Sequence, residues 1–300
     1  MRMMAYRLGI AVLCCCSPAG AGYLGLRNQG NTCYMNSLLQ TLHHLPEFRR
    51  VIYSIPTQVD ANSSSIDLVP LELQRVFYEL QYGEASGAAE VGTEGLTRSF
   101  GWGRREVNVQ QDVQEFSRML CEALQMGMKS HGVEDGIAEI FEGRTASLTR
   151  CTRVRFEKEK EEKFYDLQLQ VQGCRDVHGS LRQFVREERL CGDNQWSTRD
   201  PELGKQDARR ATRFKRLPPV LQLHLKRFEY DMHTGGMHKL QTEFSFPNLL
   251  KLHRYMAKSS AGEAEHPPPV YVLQAVLSHM GDAGGGHYIS YVRPRGSQQW

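Results

Sequence analysis

The first part of the chain places its apolar residues at helical spacing. Met35, Leu38, Leu39, Leu42 and Leu45 recur every three or four residues, which predicts a helix from Tyr34 that ends near Pro46, or gives way there to a second helix. A further helix is predicted to begin at Pro70 and another to span 111–126. We interpret 60–67 as a loop and 83–95, which is rich in Gly, Ala and Glu, as an exposed connection.

The pattern changes near Gly136, where short alternating or apolar runs predict strands. They lie at 145–148, 154–156 and 165–171, and then at 219–228, 244–246, 270–279 and 288–292. A helix at 180–189 and a polar, arginine-rich stretch to Arg216 separate the two groups. The charged block 157–163 is mixed in sign, which favours a solvated hairpin turn over a partner-binding surface. Helices followed by strands predict an α+β fold and not alternating α/β.

The composition of the chain is typical of a globular protein. Of the 300 residues, 40% are hydrophobic and 24% charged, which suffices for a sizeable core in one large domain or two ordinary ones. Its 37 basic and 34 acidic side chains are too balanced for a nucleic-acid-binding surface. Since no apolar run reaches about 18 residues, no membrane span is expected.

The eight cysteines do not resemble a disulfide framework. Cys14, Cys15 and Cys16 are adjacent and the others are scattered, so free thiols in a reducing compartment, the cytoplasm or the nucleus, are expected. Residues 1–22 nevertheless combine a basic start, an apolar run and small residues in the manner of a secretory signal peptide. The alternative is a mis-assigned N-terminus, which leaves 1–22 a leader of uncertain status.

Cys33 is the first candidate for chemistry. It stands at the predicted start of a helix that Asn31 or Thr32 could cap, and a helix N-terminus favours the thiolate. Gly30 permits close approach of a substrate, and the amide of Asn28 suits an oxyanion. A buried structural cysteine is the alternative from these residues alone.

His287 is the candidate base for such a thiol. It follows three glycines at 284–286, predicted to form an open loop, and directly precedes a strand, so a peptide could cross the loop beside a rigidly held imidazole. His43, His44 and His224 are interpreted as packing or surface residues. Because Cys33 and His287 are far apart in sequence, only the fold can pair them.

Six segments in order resemble the ubiquitin-specific proteases, which are papain-like deubiquitinating enzymes. The segments are 28–37, 76–81, 96–102, 111–116, 217–228 and 285–288. The resemblance extends from Tyr23 to Trp300 and is strongest to the branch that contains herpesvirus-associated ubiquitin-specific protease. It implies one catalytic domain over 23–300, shaped as a hand with a helical thumb (about 23–130), β fingers (about 137–216) and a β palm (about 217–300).

The resemblance also implies roles for individual residues. Cys33 would be the nucleophile, His287 the general base and Asn28 the oxyanion donor. Asp112 and Glu115 would accept hydrogen bonds from arginine in the ubiquitin tail. Tyr230, His279, Asp282 and Tyr288 would line the tail channel. The implied activity is hydrolysis after the C-terminal glycine of ubiquitin, with ubiquitin and ubiquitinated proteins as partners, no cofactor, and a monomer favoured.

Two departures from the family pattern modify these expectations. Many members bind zinc through two Cys-x-x-Cys pairs, whereas Cys151 and Cys191 each stand alone here, so no metal is expected. The family's orienting acid follows the His287 segment and would lie beyond Trp300, so we expect a palm incomplete at its C-terminal end, with Asp282 as the nearby substitute. A ubiquitin-binding module of weak or no activity is therefore the alternative function, and a secreted papain-like protease is a third.

Overall fold

The structure is a computed structural model that describes residues 8–14, 24–56, 65–257, 270–294 and 300. Its helices are α1 (Cys33–His43), α2 (Pro46–Ser54), α3 (Val69–Tyr82), α4 (Glu94–Ser99), α5 (Val113–Ser130), α6 (Gly136–Phe141) and α7 (Val177–Phe184). The strands are β1 (Leu8–Cys14), β2 (Gly25–Leu26), β3 (Glu90–Val91), β4 (Gly143–Cys151), β5 (Glu157–Phe164), β6 (Leu167–Gln170), β7 (Glu188–Leu190), β8 (Trp196–Ser197), β9 (Lys205–Gln206), β10 (Ala208–Arg216), β11 (Leu221–Lys226), β12 (Phe228–Asp231), β13 (Gly236–Lys239), β14 (Leu249–Lys251), β15 (Val270–Asp282) and β16 (Gly285–Val292).

Helices α1–α6 form a helical layer around four buried aromatic side chains. Tyr34, Phe48, Phe77 and Phe116 are all fully buried in it, as the helical spacing predicts. Pro46 and Pro70 stand in the first turns of α2 and α3, where a missing N–H costs no hydrogen bond. Helices α1, α2 and α3 thus confirm the helices predicted from Tyr34, at Pro46 and at Pro70. The helix predicted over 111–126 begins later, at Val113, because Asp112 is its N-cap and accepts the N–H of Gln114 at 2.6 Å.

A six-stranded sheet follows the order β14–β15–β1–β11–β6, with β16 also paired to β15. The β6–β11 pair is parallel and the other pairs are antiparallel. In β1, Ala11 pairs with Leu223 on one side and Val276 on the other. Part of the signal-like run therefore contributes a central strand, while residues 1–7 and 15–22 lie outside the described residues, and the status of the leader stays a prediction.

The second large sheet has four strands in the order β5–β4–β10–β7. Two sequence-based predictions for this part of the chain are wrong. The charged block predicted to be a turn is the edge strand β5, and the predicted strand 154–156 is the bend that precedes it. An edge strand with both faces in solvent needs no apolar alternation, and its charges discourage pairing with another chain. The arginine-rich stretch interpreted as merely polar contains β8, β9 and β10.

Three further segments differ from the sequence-based expectation. The connection 83–95 is not simply exposed, since it contains β3, which pairs in parallel with β2 and buries Val91. Asp176 caps α7 through the N–H of Gly179, so this helix begins before residue 180, and the end of the predicted helix is β7. Residues 244–246 form no strand, and of the predicted loop 60–67 only 65–67 are described, in the 3₁₀ turn Ser65–Leu68.

Two hydrophobic clusters hold these layers together. One fills the helical layer and extends onto the sheet through Ala275, Leu277 and Tyr288. The other, around Leu169, Phe214 and Tyr271, packs α7 against the strands. The α+β prediction is confirmed, and the docking of β16 on α1 positions the candidate site. Within the ranges described, no helix is long and apolar enough to cross a membrane.

Candidate active site

Cys33 is the first residue of α1 and is a free thiol that is only 6% exposed. Thr32, one of the two predicted caps, is the N-cap residue of α1, but its side chain does not cap the helix. The hydroxyl of Thr32 accepts the N–H of Gln29 at 3.1 Å and donates to Asn28, and the side chain of Asn31 donates to the carbonyl of Asn108. Neither side chain accepts an N–H of the first turn of α1, so of the predicted cap only the N-cap position of Thr32 is confirmed. The N–H groups of the first turn of α1 therefore remain without a side-chain cap.

Asn28 holds this loop through its side-chain oxygen. That oxygen accepts the N–H of Gly30 at 3.3 Å, and the N–H and hydroxyl of Thr32 at 3.1 Å each. The orientation leaves the NH₂ end of the exposed Asn28 amide for another acceptor, since it donates to no atom of the described residues. An exposed amide donor thus lies on the loop that leads into Cys33.

The β15–β16 hairpin brings His287 to the start of α1. β15 extends to Asp282 and β16 begins at Gly285, so the predicted open glycine loop is a tight turn at Ala283 and Gly284. The backbone N–H of Tyr288 donates to the Sγ of Cys33 at 3.4 Å. The peptide bond between His287 and Tyr288 therefore contacts the thiol, while the side chain of His287 is exposed.

Gln110 is a site residue that the sequence analysis missed. Its Nε2 lies 3.6 Å from the Sγ of Cys33 and 3.1 Å from the carbonyl oxygen of Gly286. The residue belongs to a polar run directly before α5, but such a run is also the ordinary beginning of a helix. No local signal singled it out.

A small cavity is lined by half of the predicted tail-binding residues, among them Tyr288, whose N–H donates to Cys33. Its lining consists of Asp112, Val113, His224, Leu225, Arg227, Phe228, Lys239, His279 and Tyr288. Glu115, Tyr230 and Asp282 are exposed and are not part of this lining. Asp112 is the N-cap of α5 and Glu115 stands in its first turn, so the two carboxylates are three residues apart at the start of this helix.

His279 and Lys239 lie next to each other in the lining of this cavity. The sequence did not predict a role for Lys239. The Nζ of Lys239 lies 3.0 Å from the Nδ1 of His279 and donates to the carbonyls of His279 at 2.6 Å and Gly281 at 3.2 Å. Burial, together with the nearby Lys239, lowers the pKa of His279 to about 4. An ammonium group only donates, so Nδ1 accepts and the ring proton lies on Nε2. Burial also raises the pKa of Tyr288, whose ring centroid is 4.7 Å from that of His279.

The far end of the four-stranded sheet contains the two solitary cysteines. Cys151 ends β4 and Cys191 follows β7. Across the described part of the chain, no three His, Cys, Asp or Glu side chains gather as a metal site would require. The rings of Phe156 and Trp196 pack there with centroids 5.6 Å apart. The expectation that this region binds no metal stays a prediction.

Comparison of the sequence with known proteins identifies the family of this chain. The sequence profile of the ubiquitin carboxyl-terminal hydrolases matches residues 24–300. Ubiquitin C-terminal hydrolase 12 of Arabidopsis thaliana is 46% identical over 286 residues, which are 95% of this chain and 25% of that protein. Ubiquitin carboxyl-terminal hydrolase 7 of Drosophila melanogaster is 42% identical over 95% of this chain and 24% of its own length. The chain thus spans about a quarter of the length of these curated relatives. With a match that includes the Cys33 loop, α5 and the β15–β16 hairpin, the chain belongs to the ubiquitin carboxyl-terminal hydrolase family.

Proposed function

We propose that this chain is a thiol-dependent deubiquitinase that hydrolyses the peptide or isopeptide bond after the C-terminal glycine of ubiquitin. One observation carries the proposal. The Sγ of Cys33 lies at the N-terminus of a buried helix and accepts the backbone N–H of Tyr288, so the peptide that follows His287 in β16 contacts the thiol. The relatives reported above have names that describe the same class of hydrolase.

The proposed chemistry uses groups of the chain alone. His287 takes the proton of Cys33, and the sulfur attacks the glycine carbonyl carbon. The NH₂ group of Asn28 and the backbone N–H of Cys33 donate to the resulting oxyanion. His287 then protonates the leaving amine, which frees the substrate protein and leaves ubiquitin as a thioester. Water hydrolyses the thioester and restores the thiol.

The tail of ubiquitin would lie along the cavity beside Cys33. The carboxylates of Asp112 and Glu115, both exposed at the start of α5, would accept charge-assisted hydrogen bonds from arginine. His279 would offer its Nε2–H, and Tyr288 its ring, to the glycine backbone. Tyr230 and Asp282 would flank the tail from the hairpins β12–β13 and β15–β16.

Several finer assignments belong to the same proposal. The chain would act on ubiquitinated proteins as a monomer in the cytoplasm or nucleus, without a metal or organic cofactor and without binding nucleic acid or a membrane. Thumb, fingers and palm would divide it at about 130 and 216. Placement in the branch that contains herpesvirus-associated ubiquitin-specific protease rests on the six sequence segments alone.

A second candidate function is a ubiquitin-binding module with weak or no activity. It is favoured by the exposed ring of His287, which makes no hydrogen bond with the described residues. A base whose ring is not oriented by a third group loses much of its efficiency. Asp282 is the nearest carboxylate on that face of the hairpin, two residues beyond Met280, which pairs with His287.

A ubiquitin probe with a C-terminal electrophile tests the proposal. We expect it to modify Cys33, as mapped by mass spectrometry, and to leave a Cys33→Ser variant unmodified. Cys121 should stay unlabelled because burial raises its pKa to about 12. An adduct on Cys151 or Cys191 would contradict the assignment. Turnover of a fluorogenic ubiquitin substrate separates the two candidates, since the module would bind ubiquitin without releasing the fluorophore.

A further inference from the structure

The side chain of Gln110 contacts both elements that carry the reacting groups. It is half-buried in the loop between the 3₁₀ turn Glu106–Asn108 and α5. Its Nε2 lies 3.6 Å from the Sγ of Cys33, 77 residues away, and 3.1 Å from the carbonyl oxygen of Gly286, 176 residues away. One amide therefore spans the gap between the start of α1 and the strand β16.

The chemistry of this amide suits both contacts at once. A primary amide nitrogen carries two hydrogens, and both the sulfur and the carbonyl oxygen are acceptors. The two hydrogen bonds therefore do not compete for one proton. Together with the N–H of Tyr288 at 3.4 Å, the amide surrounds the sulfur of Cys33 with two donors. Donors of this kind bind an ionised sulfur more strongly than a neutral one.

Gly286 is held from its other side by β15. A Cβ on Gly286 would lie 2.1 Å from the carbonyl oxygen of Met280 and 2.5 Å from the Nε2 of His279, so only glycine fits here. His279 is itself bonded to Lys239 at 3.0 Å. The backbone of Gly286, which directly precedes His287, is thus confined by the ring of His279 on one side and by the hydrogen bond from Gln110 to its carbonyl oxygen.

We propose that Gln110 is a positioning residue, which holds the sulfur of Cys33 and the peptide before His287 at a fixed separation. The inference deepens the proposed function and rests on it as far as ubiquitin cleavage is concerned. A misplacement of about 1 Å can cost about 100-fold in rate. Under the proposed function the cavity residues would hold the substrate, so loss of Gln110 should lower kcat and leave KM nearly unchanged.

The experiment compares Gln110→Ala and Gln110→Glu with the wild-type chain. Glutamate has the size of glutamine but, when ionised, cannot donate to sulfur or to a carbonyl. Gln81→Ala and Gln81→Glu serve as matched controls, because Gln81 donates to the hydroxyl of Tyr82 on α3, away from the site. Three quantities are measured for each protein: kcat and KM on a fluorogenic ubiquitin substrate, the rate of Cys33 alkylation by iodoacetamide, and the melting temperature.

We expect both Gln110 variants to lose about 10- to 100-fold in kcat with KM within about threefold, while both Gln81 variants match wild type. Gln110→Glu should also slow the alkylation of Cys33 at least about threefold, because it places a negative charge beside the sulfur. Towards acid pH the protonated glutamate regains a donor, so the ratio of this variant's kcat to that of wild type should rise. The corresponding ratio for Gln110→Ala should not rise towards acid pH, because alanine has no group that can regain a donor. A purely structural role would not predict this difference between the two variants.

The outcomes separate the two proposals. Wild-type kcat and alkylation in both Gln110 variants would overturn the inference, and a raised KM at constant kcat would make Gln110 a substrate contact instead. If the wild-type chain does not cleave ubiquitin, the proposed function fails, while alkylation of Cys33 still decides the role of Gln110. If Gln110→Ala does not fold, as its melting temperature would reveal, the isosteric Gln110→Glu carries the test.

Discussion

Acid should destabilise this protein through a buried histidine of α1. His43 is only 5% exposed, and its ring centroid lies 5.2 Å from those of Phe77 and His44. Burial lowers the pKa of His43 to about 3, and the nearby His44 and Arg49 act in the same direction. Folding therefore keeps this imidazole neutral at pH values where the unfolded chain binds a proton.

The size of the effect follows from proton linkage. A histidine in the unfolded chain titrates near pH 6.5, so the stabilising contribution is complete above that pH and is lost as the pH falls towards the folded-state value near 3. Each pH unit in that window costs about 1.4 kcal/mol. Between neutral pH and about pH 5, the free energy of unfolding should fall by about 2 kcal/mol because of His43 alone.

A His43→Leu variant isolates this contribution, because leucine fills the site without titrating. Urea unfolding of the variant and of wild type, followed by circular dichroism at several pH values from about 7.5 to 5, gives the difference in stability at each pH. Other histidines titrate in both proteins and cancel in this difference. The control is Ile52→Val in the same cluster, which removes one methylene and no titrating group, so its difference from wild type should not depend on pH.

We expect the His43→Leu variant to gain about 2 kcal/mol relative to wild type between neutral pH and about pH 5. A difference that stays constant within about 0.5 kcal/mol over this range would refute the reasoning. It would mean that the folded protein admits the charged imidazole, through water or through movement of Phe77.

Three other predictions concern the site and the tip of the four-stranded sheet. Asp112→Ala should weaken ubiquitin binding, measured by calorimetry, by about 1–3 kcal/mol and lower stability by about 1 kcal/mol, whereas Asp112→Ser should restore the cap but not the binding. Equal affinity for ubiquitin in wild type and both variants would mean that Asp112 only caps α5 and does not bind ubiquitin. Lys239→Met should raise the pKa of His279 above its value of about 4, as followed by NMR, because the ammonium group lowers it; an unchanged pKa would refute the contact. Trp196→Ala should lower stability by about 1 kcal/mol through loss of the Phe156 contact, while EDTA should leave the melting temperature of wild type unchanged; a drop with EDTA would reveal a metal.

Helices and buried strands were predictable because one face of each is apolar. The spacing of Leu38, Leu39 and Leu42 predicted α1, and the alternating run at 270–279 predicted β15. β5 was missed for the complementary reason. Period-two alternation arises only where one face of a strand is buried, and β5 is an edge strand whose charges all face solvent or neighbouring charges.

The ends of elements were less predictable, because side chains that cap a helix lie just outside its apolar pattern. Helices α5 and α7 begin directly after Asp112 and Asp176, whose side chains accept a backbone N–H, and both starts differ from the predicted ones. The glycine run before His287 predicted an open loop, but in the hairpin two of these glycines pair with β15. Glycine permits both conformations, and only the neighbouring strand selects one.

Residue types and local order were enough to select Cys33, Asn28 and His287 as candidates, because a helix start, an amide donor and a strand edge are local features. They were also enough for the α+β class, since each apolar face must be buried somewhere. Tertiary structure alone decided which distant side chains complete the site: Gln110 meets Gly286 across 176 residues, and Lys239 meets His279 across 40. A hydrogen bond depends on a few ångströms of separation and on orientation, and the chain acquires these only when the helical layer and the sheet pack together.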